Sequence, residues 1–325
     1  MMKKKKNPYV QSDKHKMCRS IVCHADILGF KKKINNSFND SSAQQCLEDL
    51  IKSTSDIYNK VDNEWKHFSP DIYSIYDIKF FSDNIIIGLP LRSDRLESTE
   101  GEFNIAVHIM SEYQLELANA GYFIRGGLSY GEHYMDQHYI FGKAYLDALD
   151  CDKEGDPPFI FLHDSVVKLF DKYVAKWAEN KYFVFTEYND LLQYKDSIIV
   201  NYLQTSFARF ENGDSDEIIF NKVGCHRNSI LKGLAEFRNN SKVKKKYESL
   251  ARYHNYVCKK FSEKYLPRDI IHADQNSRYE EYDKRSVRCQ KIKKYFIEID
   301  EDPFECFSKI DKNKYKETIR NFGDE

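Results

Sequence analysis

No run of apolar residues in the chain approaches the ~18 needed to cross a membrane. The longest are of the size of Ile85-Ile86-Ile87, charged residues make up 31%, and mean hydropathy is −0.67. A soluble protein is expected. An excess charge of either sign is also missing: 50 Lys and Arg stand against 51 Asp and Glu, a net charge of −1, so no global attraction favours nucleic acid or anionic lipid. The 8 cysteines include no Cys-x-x-Cys pair and no disulfide-scaffold spacing. Cys23-His24 and Cys225-His226 are adjacent, not at chelating intervals, which disfavours structural zinc. The basic start Met-Met-Lys-Lys-Lys-Lys is followed by Asn7-Pro8 and Gln11-Ser-Asp-Lys14 where a secretory leader would be apolar. Reduced thiols and a cytoplasmic location are therefore expected, with no membrane partner.

What is present is a succession of short periodic segments. Arg19 to Phe30 reads as a buried strand ending in a Gly29-Phe30 turn. Ser41-Ser42 is placed to cap an amphipathic helix running to about Phe68, with Cys46, Leu47, Leu50, Ile51 and Ile57 at helical spacing. Ile75 to Phe81 and Asn84 to Leu89 form a hairpin across Ser82-Asp83, and Phe103 to Ala118 a helix closed by Gly121. Tyr122 to Tyr130 is a strand in which Gly126-Gly127 marks close approach by a ligand or a second backbone. A helix over Gly142 to Asp152, a strand at Pro158 to Leu162, a helix capped by Asp164-Ser165, and strands at Tyr182 to Phe185 and Ile198 to Tyr202 complete this part. Strands that meet in a hairpin between helices predict an α+β sandwich in the ferredoxin-like β-α-β-β-α-β manner, not a doubly wound parallel sheet. Two long helices follow, Asp216 to Phe237 and Lys242 to Leu266, then a polar end with one possible short strand at Tyr295 to Ile299. The resulting division is a basic segment (1–18), a core domain (19–210), a helical pair (211–267) and a polar tail (268–325).

Two carboxylates, Asp26 and Asp83, stand at bends flanked by strongly apolar strand residues, where an unpaired charge is costly. With the first strand beside the hairpin they can converge on a divalent cation together with the Ile27 carbonyl. The backbone N–H groups of Leu28, Gly29 and Phe30, leading into a helix, would then face a triphosphate. The plain alternative is that Asp26 caps a turn and Asp83 is an ordinary β-turn aspartate. His163 and His254 read as capping and core residues.

Four segments, His24-Ala-Asp-Ile-Leu-Gly-Phe30, Lys79-Phe-Phe-Ser-Asp83, Arg125-Gly-Gly-Leu-Ser-Tyr-Gly131 and Phe141-Gly-Lys-Ala-Tyr-Leu-Asp-Ala-Leu149, resemble in order and spacing the catalytic domain of class III nucleotidyl cyclases. The resemblance covers roughly residues 19 to 205. It is nearest to the bacterial Pycsar pyrimidine cyclases of anti-phage defence, through Gly142-Lys-Ala-Tyr145, Pro158-Phe-Ile160, His226 to Leu234 and Tyr253-His-Asn255. It implies a homodimer that converts CTP or UTP to the 3′,5′-cyclic nucleotide and pyrophosphate. Asp26, Asp83 and the Ile27 carbonyl would hold two Mg²⁺ or Mn²⁺ ions. Lys79 falls where purine cyclases contact the base, although a solvated strand-end lysine is the alternative; Arg125 suits phosphate, or a carboxylate such as Glu132. The family's transition-state Asn and Arg fall at Leu146 and Asp150, and its base-contacting Asp at Tyr139. These departures argue against a purine substrate, with an adenylate or guanylate cyclase and a non-catalytic nucleotide-binding dimer as the alternatives.

Overall fold

Alternation in Cys18–Ile27 sends Ile21, Cys23, Ala25 and Ile27 to one face of a strand and Ser20, Val22, His24 and Asp26 to the other. This strand is an interior strand of the sheet in a computed structural model that describes residues 7–11, 14–68, 76–91, 99–151, 157–168, 190–211, 216–264, 290–299 and 306–308. In chain order the elements are β1 (Val10–Gln11), β2 (Lys14–His15), β3 (Cys18–Ile27), α1 (Phe30–Asn39), α2 (Ala43–Phe68), β4 (Asp77–Phe81) and β5 (Asn84–Pro90). Next come α3 (Thr99–Asn119), β6 (Ile124–Met135), β7 (Ile140–Phe141), α4 (Lys143–Asp150), β8 (Ile160–Leu162), β9 (Leu191–Tyr194) and β10 (Ser197–Val200). The helices α5 (Gln204–Glu211), α6 (Asp216–Glu236) and α7 (Ser241–Lys264) and the strand β11 (Phe307–Ser308) follow.

The main sheet has the order β11-β9-β10-β8-β6-β3-β5-β4, antiparallel except where β6 runs parallel to β8. The architecture is α+β. Its first part has the split β-α-β connectivity, in which β3 and β4 are parallel with β5 inserted between them and β6 returns on the other side of β3. The inner face packs in one continuous apolar cluster with α2, α3, α6 and α7, through residues such as Val61, Met110, Val223 and Leu250. On the opposite face, α4 and the segment around Tyr9 cover Val22, Ile86 and Met135. Asn7 donates to Asp77 and to the Met135 carbonyl, and the Tyr9 hydroxyl donates to Ser20. The described part of the basic N-terminal segment is thus packed onto the sheet.

The helix α3 ends as predicted, with Gly121 at φ 88° and the Gly121 and Tyr122 amides returned to Ala118 and Leu117. The helices α1 and α5 and the strand β9 are additional to the sequence expectation. His163, not Asp164, accepts the backbone amide of Ser165 at the start of the helix after β8. The predicted strand at Tyr182 to Phe185 lies outside the described residues. Tyr295 to Ile299 is not a strand: Tyr295 ends a 3₁₀ turn, and the extended residues after it pair with a side chain. The Asn255 amide donates to the Ile297 carbonyl and accepts its N–H, standing in for a neighbouring strand. All seven described cysteines are free thiols, and no helix among the described residues is long and apolar enough to cross a membrane.

A buried relay joins the helical pair to this C-terminal segment. The Tyr295 carbonyl can only accept, so His254 carries its proton on Nε2, 2.9 Å away. His254 Nδ1 then accepts from His226 Nδ1–H at 2.9 Å, and His226 Nε2 accepts from the Tyr202 hydroxyl at 2.8 Å. Both imidazoles are neutral and fully buried. Burial, reinforced by its neighbour His254, holds His226 well below the ordinary histidine range; burial lowers His254 to about 4 despite the Tyr295 carbonyl. Because the unfolded chain binds these protons more readily, this stability is fully present above about pH 6.5 and is lost as pH falls toward 4. Thermal melting between pH 7.5 and 5 should show a falling midpoint before carboxylates titrate; a flat midpoint over that range would contradict the relay.

Candidate functional site

The register of three strand pairs sets one row of side chains at the edge of the sheet. Asp26 lies opposite Asn84 on one side and Arg125 on the other, and Asn84 lies opposite Phe81. Directly opposed residues share a face and are ~5 Å apart. The next row on the same face is Lys79, Ile86, His24 and Gly127. The end of β3 that carries Asp26 meets the turn that carries Asp83 through the backbone. Asp83 occupies the tight turn between β4 and β5, reached through Ser82 at φ 56°, and its carbonyl accepts the Ile27 amide at 3.0 Å. Its carboxylate accepts from Asn84 Nδ2 at 3.2 Å, and Asn84 Oδ1 accepts from His24 Nε2–H at 2.8 Å. His24 and Asn84 were given no role by sequence reasoning, yet they orient Asp83. The only signal was His24 at the head of its own motif.

Asp26 is held by Arg125 through two parallel hydrogen bonds, Nε to Oδ1 at 2.9 Å and Nη2 to Oδ2 at 3.1 Å. This is the planar fork that makes guanidinium–carboxylate pairs strong. Both side chains keep an open edge, 21% exposed for Asp26 and 22% for Arg125. The carboxylate that Arg125 takes is therefore Asp26; Glu132 instead faces Arg19 at 3.6 Å.

Beyond Ile27 the chain turns through Gly29 at φ 76° into α1. The Leu28 amide is consumed by the Phe123 carbonyl at 2.8 Å, so Leu28 is not one of the anion-facing donors that the sequence suggested. The amides left for that use are those of Gly29 and the first turn of α1, whose N–H groups lack intrahelical acceptors. Lys31, Lys32 and Lys33 are exposed in the same turn.

Lys79 and Tyr139, both expected at the base, are brought together away from the Asp26 row, with Lys79 Nζ 3.5 Å from the Tyr139 carbonyl. Partial burial lowers the Lys79 ammonium, against the pull of Asp136 and Asp77. Burial, with the Lys79 charge, also lowers His133 to about 4; among the described residues neither of its ring nitrogens has a hydrogen-bond partner. Tyr139 is 68% exposed. Leu146 is 55% exposed, with Asp150 one turn further along α4 and also exposed.

Among the described residues no group of three or more His, Cys, Asp or Glu side chains is placed to hold a metal ion. Two carboxylates and a carbonyl would supply hard oxygens of the kind that Mg²⁺ and Mn²⁺ take together with substrate phosphates and water. The donor set fits the implied ions in chemistry. Compared with known proteins, the chain matches no family model and no curated protein sequence.

The site rests on two glycines with different requirements. A Cβ on Gly126 would lie 1.9 Å from the His24 carbonyl oxygen on β3, whereas a Cβ on Gly29 meets nothing within 4 Å. Gly126→Ala must force β6 from β3 and should prevent folding or lower the melting point severely. Gly29→Ala bears only the left-handed strain, about 1 kcal/mol, and should melt slightly lower. Equal melting shifts for the two variants would show that the strand contact is not as close as described.

Proposed function

We propose that the protein is a metal-dependent nucleotide cyclase acting on a pyrimidine nucleoside triphosphate. The observation that carries this reading is the hydrogen bond from the Ile27 amide to the Asp83 carbonyl, which ties the end of β3, one residue after Asp26, to the turn that carries Asp83, with Arg125 on the adjoining strand. The split β-α-β order supports the finer assignment to a ferredoxin-like class III cyclase sandwich, because that order places the first strand beside the hairpin tip.

When bound, divalent cations would lower the pKa of the ribose 3′-hydroxyl and neutralise the triphosphate as pyrophosphate leaves. The residues of the chain supply position. Asp26, Asp83 and the Ile27 carbonyl would hold the ions, His24 and Asn84 orient the Asp83 carboxylate, and Gly29 with the first turn of α1 would face the polyphosphate. The attack on the α-phosphorus is intramolecular, so holding the hydroxyl in line and stabilising charge contribute most of the acceleration. Lys79, one row along the same face of the sheet, would contact the base.

The active unit in this proposal is a two-fold homodimer. Phe81, Phe141, Tyr139 and Leu146 are all strongly exposed, at 74%, 68%, 68% and 55%, a cost that a second copy would remove. Tyr139 would bound a base pocket only when closed by that partner, where its bulk favours a one-ring base. By resemblance to Pycsar cyclases the product, cyclic CMP or cyclic UMP, would be a second messenger of cytoplasmic anti-phage defence. One observation favours nucleotide binding without turnover: Leu146 stands where the family uses a polar transition-state residue.

Incubation with each of the four NTPs and Mn²⁺, followed by mass spectrometry, separates these readings. A cyclic pyrimidine nucleotide is expected from the unaltered chain and none, a loss of at least about a hundredfold, from Asp83→Ala with an unchanged melting point. Faster cyclisation of ATP or GTP than of both CTP and UTP would overturn the substrate assignment, and near-normal turnover by Asp83→Ala the metal assignment.

A further inference from the structure

A cavity of about 410 Å³ lies between the turn into α1, the end of α3 and one face of α6, within the size range of small-molecule sites. None of Asp26, Asp83 and Arg125 lines it. The α6 wall comes from residues at helical spacing, Cys225, Asn228, Ser229, Lys232 and Glu236, whose side chains are polar and in part small. Gly233 on the same face lets the Tyr247 ring lie flat against the helix, where a Cβ would come within 2.0 Å of it.

The rest of the wall is mainly apolar, with Ile27, Leu28 and Phe30 on the turn and the rings of Tyr122, Phe237 and Tyr247. Such a surface suits a flat ring. Two ammonium groups border it. Lys33 Nζ donates to the Tyr122 hydroxyl at 3.0 Å and lies 4.2 Å from the centroid of that ring. Neither Lys33 nor Lys232 has a carboxylate partner among the described residues, whereas Lys60 and Lys222 on the inner helices are both paired with Glu116. Asn119 also lines the cavity, and its Oδ1 is buried with no hydrogen-bond partner among the described residues. A buried acceptor left unmade is costly, and a donor on a bound molecule would relieve it.

We infer that this cavity binds a mononucleotide, open or cyclic. The base lies against the aromatic wall and gives an N–H to Asn119, the phosphate takes Lys33 and Lys232, and the sugar hydroxyls meet Ser229 and Glu236. Each part of that molecule has its counterpart in the lining, and a bare phosphate or a bare ring would leave one set unused. The site does not depend on the metal-site reading of Asp26 and Asp83. It shares with that reading only the backbone turn after Asp26, which a bound molecule would brace.

The test is equilibrium dialysis of the full-length protein in EDTA against radiolabelled CMP, AMP, cyclic CMP and cyclic AMP, with cytidine, adenosine and inorganic phosphate for comparison. At least one of the four should bind one per chain, about tenfold or more tightly than its nucleoside or inorganic phosphate, the worth of one charge-assisted contact. A preference for the open or for the cyclic form identifies the source of the ligand, and either supports the site. Lys232→Glu should reduce mononucleotide binding to the level of the nucleoside without changing the nucleoside's own affinity. Ser229→Phe, which puts a ring into the cavity, should abolish both, and Asp83→Asn should change neither. If Ser229→Phe does not melt cooperatively, the exposed Lys232 decides alone. The inference is overturned if no mononucleotide binds more tightly than inorganic phosphate, or if binding survives Lys232→Glu unchanged. Binding that is lost in Asp83→Asn overturns it as well, because the nucleotide then sits at the candidate metal site. The dialysis reads no turnover, so absence of cyclase activity would leave this result standing.

Discussion

The register of β3 is the constraint on which the candidate site depends. This strand is hydrogen-bonded along both edges, to β5 and to β6, and from Ile21 to Ile27 one of its faces is apolar. A slip of one residue would turn Ile21, Cys23, Ala25 and Ile27 out of the core and Asp26 into it. The apolar residues thus fix which side the carboxylate takes. The same pairing places Asn84 and Arg125 directly beside it, so three polar groups from three strands meet without a loop to hold them. Gly126 and Gly127 keep the contacts close: a side chain on the first would strike β3, and one on the second would strike Ala148 and Cys151 at the end of α4.

The far end of the molecule is tied to this row through Phe123. Its carbonyl takes the Leu28 amide at the turn into α1, and its ring packs edge-on against His226 and Tyr247, both with centroids 5.7 Å away. His226 belongs to the relay that runs to His254 and the segment at Tyr295. The helical pair therefore shares the core of the sheet and buttresses the turn beside Asp26. Across the inner helices Glu116 accepts Lys60 at 2.8 Å and Lys222 at 3.0 Å. Burial alone would raise that carboxyl, and the two lysines outweigh burial and hold it below the ordinary range.

The sequence made the periodic parts of this arrangement legible. Alternation in Cys18–Ile27, the two-residue break at Ser82-Asp83, Gly121 and the helical spacing of α2, α3, α6 and α7 each depend on nearest neighbours or on one face, and those signals are local. The carboxylates were legible for the same reason, as polar residues out of place in apolar strands. The partner of Arg125 was not, because Asp26 is 99 residues away and only the register brings the two together. The loss of the Leu28 amide to Phe123 and the support of Asp83 by His24 are likewise contacts between distant strands. The apparent strand at Tyr295 to Ile299 misled because extended backbone can be satisfied by one asparagine amide as well as by a strand. The helix α1 was hidden by its run of lysines, which weakens any apolar stripe.

The central claim is that Asp26 and Asp83 form one metal site. The most direct measurement is anomalous diffraction from crystals grown with Mn²⁺ and an α,β-methylene pyrimidine nucleotide. The account predicts manganese peaks within coordination distance of both carboxylates. Manganese bound elsewhere would contradict it.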